Sequence, residues 1–224
     1  MKKFLFIILS ALFILDAFSQ SNANEGGSTR FENRKKKGYY NTTQIGLLMG
    51  NRKLSEQNSY NYYYNNTRNN MLVSPSVTMT NGYMFNEHWA AGVGFGFEIF
   101  EHNLFPVFID IRYTLRGNDV SPFFAFKMGH AIGNLEKKHY DDLYLDSPPY
   151  SLNNAYFRNY GGFMIHPEMG VKFPLTEKAD LLFTVGYRYQ KIKTTVSQDF
   201  GQRYKWNHEV SMNRLSFGAA VMFR

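Results

Sequence analysis

The 224-residue chain contains no cysteine. That absence excludes disulfide staples, a thiolate nucleophile, cysteine-ligated metal and a lipid-modified cysteine behind an N-terminal apolar segment. Proline is sparse at 7 residues, so few strand positions lose their backbone donor. Acidic residues are in short supply, 18 against 25 Lys and Arg, for a formal charge of +7. Part of the excess sits in Arg30, Arg34, Lys35, Lys36 and Lys37. In a cytosolic protein such a cluster would suggest nucleic acid. Here an export signal precedes it, so no nucleic-acid partner is expected and the cluster reads as a basic lead-in near anionic headgroups.

The signal consists of Lys2 and Lys3, an apolar run from Phe4 to Leu15, and small residues before Gln20. The run is too short for an ordinary transmembrane helix and fits a secretory signal over residues 1–19. Residues 20–38 are polar and glycine-containing, and read as a flexible periplasmic leader. About 205 residues follow the signal, enough for one domain, placed here at 39–224.

From Tyr39 onward the hydrophobic period is two. In the first of eight such stretches, Thr43, Ile45, Leu47 and Met49 alternate with Gln44 and Gly46. In the third, Ala91, Val93, Phe95, Phe97 and Ile99 alternate with Gly92, Gly94, Gly96 and Glu98. In the fourth, Val107, Ile109, Ile111 and Tyr113 face away from Phe108, Asp110, Arg112 and Thr114. A helix cannot segregate residues two apart. The expectation is an all-β, eight-stranded, antiparallel up-and-down transmembrane β-barrel, with apolar residues toward lipid and polar or tiny ones toward the lumen. Pro75 and Pro167 fall inside strands and require bulges or strand ends.

Connection lengths agree with that topology. Residues 85–89, 116–121 and 175–179 form short links, whereas 51–71, 132–157 and 194–211 read as long loops, with one brief link at Glu101 to Asn103. With both termini periplasmic, the three short links become periplasmic turns. Phe and Tyr total 37, many near strand ends, as interfacial aromatic girdles would require. A soluble barrel with inverted faces is the competing architecture.

Lumen-facing positions carry the chemistry. Glu98, Asp110 and Glu168 can be neutralised by Arg112, Lys127, Lys172, Arg188 and Arg214, with His166 beside Glu168. Eight strands enclose a space that side chains can fill, so this set reads as a charge-paired plug. His166 and Glu168, with Ser216 or Ser76 as nucleophile, also spell a hydrolase grouping, although no spacing ties a serine to the histidine. His88, His102, His130, His139 and His208 are scattered without metal-ligand spacing. Asp141, Asp142 and Asp146 do not form a calcium loop. No metal or other cofactor is expected.

The first long loop presents Tyr60, Tyr62, Tyr63 and Tyr64 among asparagines. Such a composition suits contact with a protein, a glycan or lipopolysaccharide headgroups.

The chain resembles the outer-membrane β-barrel domain proteins of Bacteroidota, including PorT-like relatives. The resemblance rests on Gly82, Tyr83, Phe85 and Asn86; on Gly92, Gly94 and Gly96; on Pro106, Asp110, Arg112 and Tyr113; and on Ser121, Pro122 and Phe123. It extends from Tyr39 to Phe223, and the final Arg224 departs from the terminal aromatic common in such barrels. It implies a small barrel of the cell outer membrane, with some relatives linked to secretion. The combined expectation is a noncatalytic, monomeric structural or interaction barrel, with outer-membrane lipids and lipopolysaccharide as surroundings. The alternatives are a transport or secretion accessory and a lipid-modifying enzyme.

Overall fold

The computed structural model describes residues 35–55, 72–99, 103–115, 120–133, 138–144, 151–200 and 202–224. Nine strands occur among them: β1 (Gly38–Ser55), β2 (Leu72–Met84), β3 (Trp89–Glu98), β4 (Leu104–Thr114), β5 (Ser121–Gly133), β6 (Lys138–Tyr144), β7 (Ser151–Pro174), β8 (Ala179–Phe200) and β9 (Gln202–Phe223). Sequential neighbours from β1 to β5 pair antiparallel, β5 pairs β7, and β7 to β9 continue around to β1. The eight-stranded ring is therefore closed, and β6 lies outside it as an added strand on the far end of β7.

Faces follow the sequence alternation. Ile45, Val77, Val93, Phe95, Ile109 and Phe183 point outward and are about half exposed. Glu98, Asp110, Lys127, Glu168, Arg188 and Arg214 point inward and are buried. This inverts a soluble protein, in which such charges face water. An apolar outer surface of this extent is stable only against lipid, so the competing soluble architecture is overturned. The small residues on the inner face of β3 permit close packing: a Cβ at Gly92 would lie 2.9 Å from the Tyr40 hydroxyl oxygen.

Both prolines are accommodated at weak points of the ladder. The β2–β3 pairing ends at Ser76 opposite Glu98, and the Pro75 carbonyl accepts from Ile99 N at 3.0 Å just beyond it. A residue's nitrogen and carbonyl face the same neighbour, so the missing donor of Pro75 costs only a terminal rung. At Pro167 the β7–β8 pairing is interrupted between Ile165↔Tyr189 and Glu168↔Gly186, with the same register on both sides.

Two of the expected long loops are corrected. Residues 132–157 contain β6, and most of 194–211 belongs to β8, which ends at Phe200, and β9, which begins at Gln202. β7, β8 and β9 have 24, 22 and 22 residues, whereas about 9–11 span a bilayer. Their turn-distal halves thus continue beyond the apolar belt as a ribbon. The branch point is a register shift between Asn159 and Gly161, with Gly161 at φ 79°. Below it β7 pairs β5, and above it β6. Period-two patterning fades there because the upper strands no longer separate lipid from lumen. Residues 1–34 and Tyr60, Tyr62, Tyr63 and Tyr64 lie outside the described residues.

At the end carrying the short turns, Asn86 Oδ1 accepts from the backbone of His88 at 2.9 Å and Trp89 at 2.7 Å, fixing the β2–β3 turn. Trp89 and Tyr113 pack with ring centroids 4.9 Å apart, near exposed Tyr83 and Phe85. These rings form an interfacial girdle, and the short turns mark this end as periplasmic. Replacing Ile109 near the middle of β4 with lysine places a charge in lipid. We expect Ile109→Lys to lower barrel stability by about 2–4 kcal/mol in reversible unfolding from bilayers, while Thr176→Lys in a periplasmic turn has little effect.

Candidate functional site: the charge-layered lumen

Inward residues recur every second position, and the antiparallel register stacks them into layers along the barrel. At the periplasmic mouth the Arg224 guanidinium meets buried Asp180, its Nε donating to Oδ2 at 2.7 Å and Nη2 approaching the same oxygen at 2.5 Å. Arg224, the residue after β9, thus takes a role at the mouth. Lys36, in the basic lead-in, reaches Glu87 at 2.6 Å, and its hydrogen bond holds that carboxyl below the usual range. Lys172 lines the same mouth beside Arg112, Glu87 and Arg224, around a cavity of about 30 Å³.

Above the mouth lies an apolar layer of Tyr40, Met84, Phe123, Leu182 and Met222. The Arg112 guanidinium sits 5.7 Å from the Tyr40 ring centre and 5.9 Å from that of Phe123. Such rings favour a desolvated cation. Asp110, two residues away on the same face, accepts from Arg112 Nε at 3.0 Å and Nη2 at 2.8 Å through one oxygen.

The middle layer joins five strands, β1, β5, β7, β8 and β9. Lys127 Nζ lies 2.7 Å from Glu168 Oε2 and donates to Gln44 Oε1 at 2.7 Å. The Gln44 amide nitrogen in turn donates to Glu168 Oε1 at 3.2 Å and to Thr184 Oγ1 at 2.9 Å. His166 Nε2 shares a hydrogen bond with Ser216 Oγ at 2.7 Å and lies 3.3 Å from Glu168 Oε1. The void bordered by Gln44, Ser76, Lys127, His166, Glu168 and Ser216 measures about 20 Å³, space for a water rather than an acyl chain.

The upper layer gathers Arg188, Arg214, Glu98 and Gln190. Arg188 Nη1 contacts Glu98 Oε1, and Arg214 Nη2 contacts Glu98 Oε2 at 3.2 Å. Arg214 also donates to the Gln190 side-chain carbonyl, and Arg188 Nη2 lies 2.9 Å from Met164 Sδ. A second apolar layer of Leu104, Ala131, Ile192 and Met212 closes over it.

Eight of the nine lumen charges expected from sequence therefore assemble into three layers, while Lys172 belongs to the mouth. Gln44, Thr184, Ser216 and Gln190 were not among them because they carry no charge. Their inward phase was legible, but their role as bridges depends on which strands face across the lumen. The structure also adds a contact that no spacing reveals: Ser216 is tied to His166 through the β9 register. The pairing nevertheless differs from a catalytic relay. Glu168 and Ser216 both approach Nε2, whereas a relay needs the acid on one ring nitrogen and the nucleophile on the other.

No protein-family model matches the chain, and comparison with curated proteins gives no match. Among solved structures, the outer membrane protein OprG from Pseudomonas aeruginosa aligns over 85% of this chain and 97% of its own, with TM-score 0.55 and 14% identity. Neisserial surface protein A aligns over 85% and 99%, with TM-score 0.47 and 12% identity. At such identities the likeness to OprG shows shared fold alone. That fold and the inverted faces define the chain as an eight-stranded antiparallel β-barrel of the outer-membrane kind.

The layers predict an asymmetric mutational response. Glu168→Gln leaves Lys127 buried without its carboxylate and should cost about 3–5 kcal/mol in unfolding. The joint change Glu168→Gln with Lys127→Met should recover much of that loss, which a double-mutant cycle measures directly.

Proposed function

We propose that this chain is a noncatalytic structural or interaction barrel of the cell outer membrane, plugged through its lumen and presenting its turn-distal ribbon to the exterior. The observation that carries the reading is the combination of stacked, buried ion-pair layers with strands twice the length a bilayer needs. A conduit would keep water along its axis. Here two apolar layers bracket the charges, and the middle-layer void is of about single-water size. The lumen consequently supplies rigidity, and the parts free to meet a partner are the segments outside the membrane.

Outer-membrane lipids and lipopolysaccharide surround the wall in this reading, and a protein or glycan partner meets the extracellular segments. The tyrosine-rich stretch from Tyr60 to Tyr64 is part of that proposal through its composition. Kinship with the Bacteroidota outer-membrane barrel family belongs to it too, supported by the residues from Gly82 to Phe123 that carry the resemblance. The competing transport reading has a direct test. In planar bilayers the purified barrel should show no stable conductance step, and protease on intact cells should trim the ribbon while leaving a heat-modifiable core. A stable conductance altered by Glu168→Gln would replace this reading with transport.

A further inference from the structure

The apolar outer wall changes character on one sector of its turn-distal rim. On β8 the outward positions run Leu181, Phe183, Val185 and Tyr187 from the periplasmic end, then turn to Tyr189, Lys191 and Lys193. Their partners on β9 are polar too: Tyr189 lies opposite Asn213, Lys191 opposite Ser211 and Lys193 opposite Glu209. Lys191 stands ten residues from Leu181. Ten residues of strand rise about 33 Å, or about 25 Å along the membrane normal at the usual tilt, which is the height of the apolar band. The two lysines therefore stand in the outer headgroup layer, with exposed Val185, Tyr187 and Phe217 beneath them in the acyl region. The opposite sector shows no such change. Val73 on β2 and Ile99 just past β3 lie ten residues from Tyr83 and Trp89, and both are exposed and apolar.

Donors dominate the strip. Lys191 is exposed and has no ion pair or hydrogen bond among the described residues. Lys193 projects from the same face about 7 Å along the strand, its ammonium 3.7 Å from Glu209. Asn213 uses its side-chain carbonyl to accept from the Tyr187 hydroxyl at 2.5 Å, so its amide nitrogen is the group left to donate. Ser211 and Tyr189, both half-buried, add hydroxyls on either side. A snorkelling lysine needs only water for its ammonium. Two ammoniums, an amide and two hydroxyls over adjacent strands instead match a phosphorylated sugar, whose oxygens accept from all of them. Glu209 marks the upper edge of the strip, and its charge directs an anion down toward Lys191.

We propose that the outer face of β8 and β9 holds one phosphorylated glycolipid of the outer leaflet, a lipopolysaccharide. Its phosphate lies between Lys191 and Lys193, its sugar on Ser211 and Asn213, and its acyl chains along Val185, Tyr187 and Phe217. The inference rests on the proposed function, which places the wall in the outer membrane with the turn-distal ribbon outward, and it turns a lipid surrounding into a defined site at the foot of that ribbon.

The test uses the full folded chain in nonionic detergent micelles, with deep-rough lipopolysaccharide as probe and the same lipid after phosphatase treatment as its control. Native mass spectrometry should show one intact lipopolysaccharide retained per barrel, and the dephosphorylated form should bind about tenfold more weakly. Joint Lys191→Gln and Lys193→Gln substitution should weaken retention of the intact lipid to a similar degree while heat-modifiable mobility persists. Lys36→Gln at the periplasmic mouth should leave retention unchanged, and inorganic phosphate should displace the lipid no better than chloride at equal ionic strength. Equal retention of the two lipid forms would overturn the proposal, as would undiminished retention by the double variant. Selective displacement by inorganic phosphate would reduce the strip to a simple anion site and overturn it as well. A heat-modifiable, non-conducting barrel that retains no lipopolysaccharide sinks this inference and leaves the proposed function standing, whereas an unsubstituted protein without heat-modifiable mobility sinks both. Should the double variant fail to fold, the comparison of the two lipid forms on the unsubstituted protein decides.

Discussion

A bilayer interior offers no water to a peptide group, and the rest of this structure depends on that constraint. Every backbone donor and acceptor at membrane depth needs a partner within the protein, and a sheet meets this only by closing on itself. Closure by β5 against β7 and β1 against β9 removes the edges. It also forces inversion of the faces. Residues such as Val93 and Ile109 meet lipid, and every polar side chain between the mouths must be reconciled inside a narrow tube.

Reconciliation proceeds by layers because alternation delivers lumen side chains at fixed levels. An isolated charge there would carry a desolvation cost of several kcal/mol. Each cation therefore lies against an acid, a carbonyl oxygen or an aromatic face. Arg112 uses Asp110, Tyr40 and Phe123; Lys127 uses Glu168, Gln44 and the Phe108 ring, 5.6 Å away. Such pairs add little net stability compared with an apolar filling of the same shape. Their physical effect is on geometry: Gln44 links β1 to β5, β7 and β8 across the tube. The histidine and serine of the middle layer fall into the same scheme, since His166 Nε2 meets both Ser216 Oγ and Glu168 Oε1.

Outside the membrane the constraint relaxes, and the architecture changes with it. Water can satisfy an edge, so β6 can sit beside β7 without the ring closing around it. The branch is made at Gly161, whose positive φ of 79° is easily adopted without a side chain. The same relaxation explains why residues 194–211 resemble a loop by composition and yet lie mostly in β8 and β9. A wet strand has no obligation to alternate.

The amino-acid order by itself determined the barrel, its strand count and which face of each strand is apolar, because lipid and lumen act on alternate residues within every strand. It determined the short periplasmic turns for a related reason, since antiparallel neighbours need only a few residues to reverse. Only the tertiary structure decided which lumen groups meet. Lys127 finds Glu168 and Gln44, Arg188 and Arg214 converge on one Glu98, and His166 finds Ser216 through contacts 41 to 116 residues apart. Those pairings depend on register and closure around the ring, and neither is carried by the period of any single strand.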